Sequence, residues 1–403
     1  MELTKVYKQT PIGVIPADWQ LRTMKDICWV NQGLQIPIDK RLTQPIGNSP
    51  VYITIQFLNE GKLVEYINDY NSSVFCSKDD ILMTRTGNTG MVISNVEGVF
   101  HNNFFKINYD KKKIDKEYLI CYLKSPRTHK EILTKAGTST IPDLNHKDFY
   151  SIQIPVPTLI EQSIIASALN DSDDYISSLE KLIEKKREIK QGVAQELLRP
   201  KISWETYSLG DIGRTFGGLS GKSKSDFSEG EFPYIPFMNI MSNPIIDTEY
   251  FDYVNLKSGE NQNFALKGDL FFNGSSETPE DVGMCSVLLN DIPNLYLNSF
   301  CFGYRINNNL KINGLYLSYS FRSKEGRKLF FSMAQGATRY NLSKSNFNKL
   351  IVPIPSIQEQ NEIAKILFDI DSEIKILELK LDKAKSIKQG MMQNLLTGKI
   401  RLI

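Results

Sequence analysis

Two stretches of this chain place apolar residues alternately three and four positions apart. The second runs Leu367, Ile370, Ile374, Leu377, Leu381, Ala384, Lys388, Met391 and Leu395. The first runs Leu169, Ser172, Ile176, Leu179, Ile183, Lys186, Lys190, Val193 and Leu197. That rhythm marks the a/d seam of a helical pair. It predicts helices over 158–198 and 356–396, rich in Glu, Lys, Leu, Ile and Gln. Pro155, Pro157, Pro353 and Pro355 stand just ahead of each start, where proline is tolerated. Thr158 and Ser356 read as N-caps, each with a glutamate three residues on (Glu161, Glu359) in capping-box spacing. The first seam is the more polar, because Lys186 and Lys190 fall on it. With both copies in one chain, the economical arrangement is that they pack on each other, antiparallel. The alternative is that each helix only covers its own domain.

The two stretches are also copies of one sequence. Ile154-Pro-Val-Pro157 followed by Glu161-Gln162 returns as Val352-Pro-Ile-Pro355 followed by Glu359-Gln360. Ile189-Lys-Gln-Gly192 returns as Ile387-Lys-Gln-Gly390, and Lys201-Ile202 as Lys399-Ile400. The offset holds near 198 residues without a gap, with about 22 of about 49 positions identical. A repeat of half the chain is a duplication and not a solenoid. Weaker echoes precede it. Trp19 parallels Trp204, Asp26-Ile27 parallels Asp211-Ile212, Asp80-Ile-Leu82 parallels Asp269-Leu-Phe271, and Phe149 parallels Phe347.

Between the helical copies the pattern changes to short alternating or apolar runs. Strands are expected at Val51–Ile55, Asp80–Thr84, Met91–Ser94, Asp269–Phe272 and Phe300–Ile306, and helices at Lys116–Lys124 and Leu315–Phe330. The fold class is therefore α+β: two similar mixed domains joined by two long helices packed as an antiparallel coiled coil. The expected boundaries are 1–155 for the first domain, 156–202 for a central helical spacer, 203–352 for the second domain and 353–403 for a C-terminal helical spacer. Lys399-Ile400 matches Lys201-Ile202, which leads into the second domain. The end of the chain should therefore return to the start of the first domain, in a circular, pseudo-twofold arrangement.

Composition narrows the function. With 41% hydrophobic and 23% charged residues, the chain is an ordinary globular protein. No apolar run reaches the roughly 20 residues that span a bilayer, so no membrane association is expected. Residues 1–9 are polar, unlike a signal peptide. Five scattered cysteines without CxxC spacing fit a reducing cytoplasm and give no zinc set. The net charge of +2 is too small for a whole-surface nucleic-acid footprint, so any such charge must be local or shared with other chains. Gly217 to Ser223 falls one residue short of a P-loop. Ser242-Asn-Pro-Ile245 lacks the second proline and the aromatic residue of an amino-methyltransferase motif. No histidine has a nucleophile beside it. No catalytic constellation or metal site emerges.

Two loops in each half have the chemistry of a polyanion or base contact. One is Arg85, Thr86, Gly87, Asn88, Thr89, Gly90, with Asn273, Gly274, Ser275, Ser276 as its counterpart. The other holds Thr138 and Ser139, with Arg339 and Tyr340 opposite. Glycine permits close backbone approach, and Arg, Asn, Ser and Thr donate to phosphates or base edges. The competing reading is solvated turns.

Taken in order, these motifs resemble the DNA-specificity subunits of type I restriction–modification systems. The resemblance rests on the twice-written Pro-x-Pro…Glu-Gln, on Ile-Lys-Gln-Gly leading to Leu-Leu-x-x-Lys-Ile, and on the opening Tyr7 to Gly13 with Ile15-Pro-Ala-Asp-Trp19. It rests also on Asp80-Ile-Leu…Arg-Thr-Gly-x-Thr-Gly90. It covers essentially the whole chain. It implies a cytoplasmic, non-catalytic subunit that binds double-stranded DNA, each target recognition domain reading one half of a bipartite sequence. It further implies that the helices dock two methyltransferase subunits, that motor-nuclease subunits join, and that S-adenosylmethionine, ATP and Mg2+ belong to those partners. A helical rod of roughly 40–60 Å exceeds one turn of B-DNA, about 34 Å. The alternatives are a detached recognition subunit of another restriction or methylation enzyme class, and a non-DNA coiled-coil scaffold.

Overall fold

The computed structural model describes residues 6–60, 64–137, 141–227, 230–257, 259–333, 336 and 339–402. They fall into two compact units. One holds the residues up to Glu180 together with those from Leu379 on, and the other spans Lys181–Glu378. Each unit thus takes a part of both long helices.

In the first unit the main sheet is antiparallel, in the order Cys28–Gln32, Phe104–Tyr109, Ile81–Thr84, Val92–Ile93. Successive strand residues point to opposite faces. Ile81 and Met83 accordingly enter one core with Phe105, Ile107, Tyr118 and Phe149, while Leu82 enters a second with Tyr52, Val99 and Phe100. The second core is closed by a small sheet in which Tyr52–Ile53 runs parallel to Gly98–Phe100, with Phe75–Cys76 on its other edge. Ile81–Thr84 is buried on both faces, and its first three residues read as an apolar run. Helix Lys116–Lys124 begins where expected, with the Asp115 carboxylate capping Tyr118 N at 2.9 Å.

The second unit repeats the plan. Gly213–Gly217, Cys301–Ile306, Leu270–Asn273 and Cys285–Val287 make the antiparallel sheet. Leu270 and Phe272 face one core and Phe271 the other. Phe232–Ile235 pairs in parallel with Tyr296–Leu297, as Tyr52–Ile53 does with its neighbour. One expectation fails here. The helix anticipated over Leu315–Phe330 is two helices, Gly314–Arg322 and Lys324–Met333. Ser323 adopts extended backbone between them, and its hydroxyl accepts from Gly326 N at 3.1 Å, starting a new helix.

The duplicated Glu-Gln motif is a joint. Gln162 is fully buried at the start of helix Leu159–Leu197. Its amide donates to Pro157 O (2.9 Å) and Lys113 O (3.0 Å) and accepts from Asp115 N (2.7 Å). Gln360 repeats the pattern at helix Ile357–Leu395, donating to Pro355 O and accepting from Asn313 N, both at 2.8 Å. Each glutamine ties a long helix to the segment that starts the domain's own helix. Thr158 and Ser356 do cap, accepting from Glu161 N and Glu359 N at 3.3 Å. Glu161, however, turns away from a reciprocal capping box. Its carboxylate receives Trp19 Nε1 (3.1 Å) and the Arg401 guanidinium (2.8 Å). Arg401 also meets Asp18 at 3.0 Å, and Tyr7 Oη donates to Lys399 O at 3.5 Å. The C-terminal segment therefore returns to the start of the first domain, as the duplicated ending predicts.

In each unit the two helices run antiparallel. Ser172 meets Met391, Asp173 meets Lys388 and Glu180 meets Lys385 in the first. In the second, Lys186 meets Glu373 (2.8 Å), Arg187 meets Glu378 (2.5 Å) and Lys190 meets Asp371 (2.5 Å). The seam lysines that made the first copy look polar are thus paired across the seam. Lys190–Asp371 and Lys388–Asp173 are the same pair formed once in each unit. Beyond the seam, Met392, Leu395 and Leu396 enter the first domain's core, and Leu198 with Val193, Ala194 and Leu197 the second's.

Candidate nucleic-acid interface

In each domain the sheet delivers three chain segments to one junction. In the first, strand Ile81–Thr84 runs out into the 85–90 loop. Arg85 N donates to Asn103 O (2.7 Å), and Leu144 N donates to Arg85 O (2.8 Å). Thr86 bridges Asp143. In the second, Gly274 N donates to Phe300 O (3.2 Å) and Leu342 N to Gly274 O (2.9 Å). Ser275–Ser276 pairs antiparallel with Tyr340–Asn341. Arg85 and Gly274 are therefore the same node. In the second domain the two loops singled out by sequence meet there, through Tyr340; in the first, the 85–90 loop meets Asp143 and Leu144, which follow the second loop in the chain. The third segment, the turn at 101–104 and 298–301, escaped the sequence reading. Its only signal was that both copies stand immediately before the long central strand.

The side chains at the node fall into two groups. Arg85 is held: it pairs with Asp143 at 2.8 Å, reaches Leu144 O at 3.4 Å and lies over the Phe105 ring. Thr89 is buried, its hydroxyl donating to Pro142 O at 2.7 Å. Asn273 is fully buried. Its amide donates to Asp281 O and Ser275 O, and its carbonyl accepts from Met284 N. These three brace the loops. Gly87 and Asn88 both take left-handed backbone (φ 64° and 61°), which turns the Asn88 side chain out to solvent. Thr86, Ser275, Ser276 and Tyr340 are partly exposed, and Arg339 is exposed. Thr138 and Ser139 lie outside the described residues.

The third segment is braced by a side-chain-to-backbone hydrogen bond in both copies. His101 Nδ1 accepts from Asn103 N at 3.1 Å, and Asn298 Oδ1 accepts from Phe300 N at 3.0 Å. Burial first, and the nearby Arg41 charge second, hold the His101 imidazole below its ordinary pKa, which favours this acceptor state.

No metal-binding arrangement competes with this junction among the described residues. No cluster of three or more His, Cys, Asp or Glu side chains could hold a metal there. Burial pushes the thiols of Cys28, Cys76 and Cys301 up to about 12 and that of Cys121 to about 11, making them poor nucleophiles. Lys222, in the near-miss P-loop, is spent on Glu260 (2.5 Å) and Asn255 O (2.8 Å). No helix of the described residues is long and apolar enough to cross a membrane.

The family model described as type I restriction modification DNA specificity domain matches residues 16–191 and again 201–386. This chain belongs to that family. As a specificity subunit it carries two DNA-recognition domains, and each match takes in one domain with most of one long helix. Relatives include the type I restriction enzyme MjaVIII specificity subunit of Methanocaldococcus jannaschii, 25% identical over 96% of this chain and 94% of the relative. The putative MjaX specificity subunit of the same organism is 26% identical over 98% and 97%. Among solved structures, the type I restriction–modification S subunit from M. genitalium has the same fold. Its TM-score is 0.60 at 20% identity, over 98% of this chain and 99% of that one.

Proposed function

We propose that this specificity subunit reads a bipartite DNA sequence, one half through each three-segment junction, and that its helices dock the methyltransferase subunits. One observation supports two separate readers above all. The same backbone node is built twice, each time inside its own unit, with different side chains turned outward. Asn88 and Thr86 are presented by the first domain, and Ser275, Ser276, Arg339 and Tyr340 by the second. A conserved frame with exchanged surface residues is what two base-reading sites of different specificity need. On this reading Arg85, Thr89 and Asn273 set loop shape, and the outward residues meet DNA.

Docking is supported by apolar residues left exposed on the long helices. In the first unit these include Tyr175, Leu379 and Ile387; in the second, Leu182, Ile189 and Ile376. A helix face with large apolar residues in solvent calls for a partner. The small net charge fits phosphate contacts shared with such partners. Methyl transfer from S-adenosylmethionine, and cleavage driven by ATP and Mg2+, are assigned to the partner chains, and none of that chemistry to this one.

Co-expression with a modification subunit, followed by methylome sequencing, tests this reading. A split, asymmetric adenine-methylated motif is expected, with salt-dependent DNA binding by the complex. Methylation by this chain alone would favour another enzyme class, and a complex without salt-dependent DNA binding would favour a scaffold.

A further inference from the structure

The third junction segment presents a different kind of side chain in each domain. In the first domain the turn His101-Asn-Asn103-Phe104 sets Asn103, partly exposed, beside the node. In the second, the turn Asn298-Ser-Phe300-Cys301 sets Phe300 there, 63% exposed. A phenylalanine so open to water loses most of the stabilisation that burial gives an aromatic ring. Yet the turn carrying it is built with care. Asn298 is buried, with its amide on Ile235 O (3.0 Å) and its carbonyl on Phe300 N (3.0 Å). Cys301 N returns to Asn298 O, and Phe300 O is held by Gly274 N. Every backbone contact fixes the residue, and none covers its ring. Ser275 and Ser276 follow directly from the residue that anchors it.

We infer that Phe300 is a specificity-determining residue of the second domain, making an apolar contact to a base pair of its half-site. Asn103 occupies the equivalent place in the first domain and reads by hydrogen bonding. This rests on the reading of the junctions as DNA interfaces. The chemistry suits an edge-on or inserted aromatic ring. An apolar side chain held rigidly among hydroxyl donors contacts the thymine methyl in the major groove, or wedges at a base step. Rigidity matters in either case, since a preset ring loses little freedom on binding. At Phe300 the fold uses the backbone, through Asn298 and Gly274, and leaves the ring free to vary. A change from Asn to Phe then alters the base read without disturbing the sheet.

The test uses the full chain assembled with its modification subunit, its motif read by methylome sequencing. Phe300→Ala should relax one base position in one half of the motif, with roughly ten- to hundredfold less preference there. The other half, and recovery of the complex, should be unchanged. Asn103→Ala should relax one position in the opposite half. Phe300→Leu keeps an apolar side chain for either mode and should retain much of the preference. An unchanged motif with Phe300→Ala, or uniformly weaker methylation with every base retained, would overturn the inference. The double change Ser275→Ala, Ser276→Ala guards the underlying reading. If it shifts the motif and Phe300→Ala does not, only the inference fails. If neither shifts it, the second junction is not a reader.

Discussion

Two tryptophans in equivalent places show how a single partner alters what a residue contributes. Trp19 donates its indole N–H to the buried Glu161 carboxylate, whereas Trp204 Nε1 is buried with no partner among the described residues. The equivalent Glu359 instead pairs with Lys201 at 2.6 Å. A hydrogen bond to a charged group contributes about 1.5–3 kcal/mol. Trp19→Phe should therefore destabilise the first domain by about that much more than Trp204→Phe destabilises the second in denaturant unfolding, the loss of ring volume being common to both. Equal losses would show that the bond contributes nothing. His101 gives the matching pH prediction. Its pKa is held below 6.5, so the stability it contributes is complete above 6.5 and lost as pH falls through the lowered value. His101→Asn, which copies Asn298, should flatten that acid loss while keeping the turn. The residue scale is also where the sequence was least legible. Arg85 looked like a free donor to DNA, because nothing local says that Asp143 lies beside it. Its partner is 58 residues away, and only the fold brings them together. Thr89 is a brace for the same reason, through Pro142 O 53 residues on, whereas Asn273 is held within its own loop by Ser275, Asp281 and Met284. Asn88, whose outward turn follows from a local left-handed pair of residues, could be read from sequence.

At the scale of elements, the helices were the most legible part. Period and duplication predicted 158–198 and 356–396, and the helices are Leu159–Leu197 and Ile357–Leu395. Local signals decide such ends: prolines before, a hydroxyl cap, then an unbroken run of helix formers. The polar seam positions needed the partner helix to make sense, since Lys190 and Lys388 are balanced by Asp371 and Asp173. The break at Ser323 was missed because flanking apolar residues keep a helical rhythm through it. The exposed apolar residues carry a prediction at this scale. Leu182→Glu with Ile189→Glu leaves the seam pairs intact and places charges where partner helices would pack. The variant should fold with unchanged helicity and fail to co-purify with the modification subunit. Recovery of the full complex would move the docking surface elsewhere.

For the whole molecule, the duplication explains why the C-terminal segment returns to the first domain. Arg401 reaches Glu161 and Asp18, so the last residues complete the first domain as Lys201 and its neighbours complete the second. Removing residues 397–403 should therefore destabilise the first domain by more than a frayed tail would, seen as a lowered first transition in thermal unfolding. The central claim is that each domain reads one half of a divided target independently. It is tested most directly by transplanting residues 24–150 from a relative of different specificity and sequencing the methylome. That exchange leaves Trp19, Gln162, both helices and Arg401 in place. Independent reading predicts a hybrid motif, with one half replaced, the other half retained and the spacing between them unchanged. A motif altered in both halves, or in neither, would contradict it.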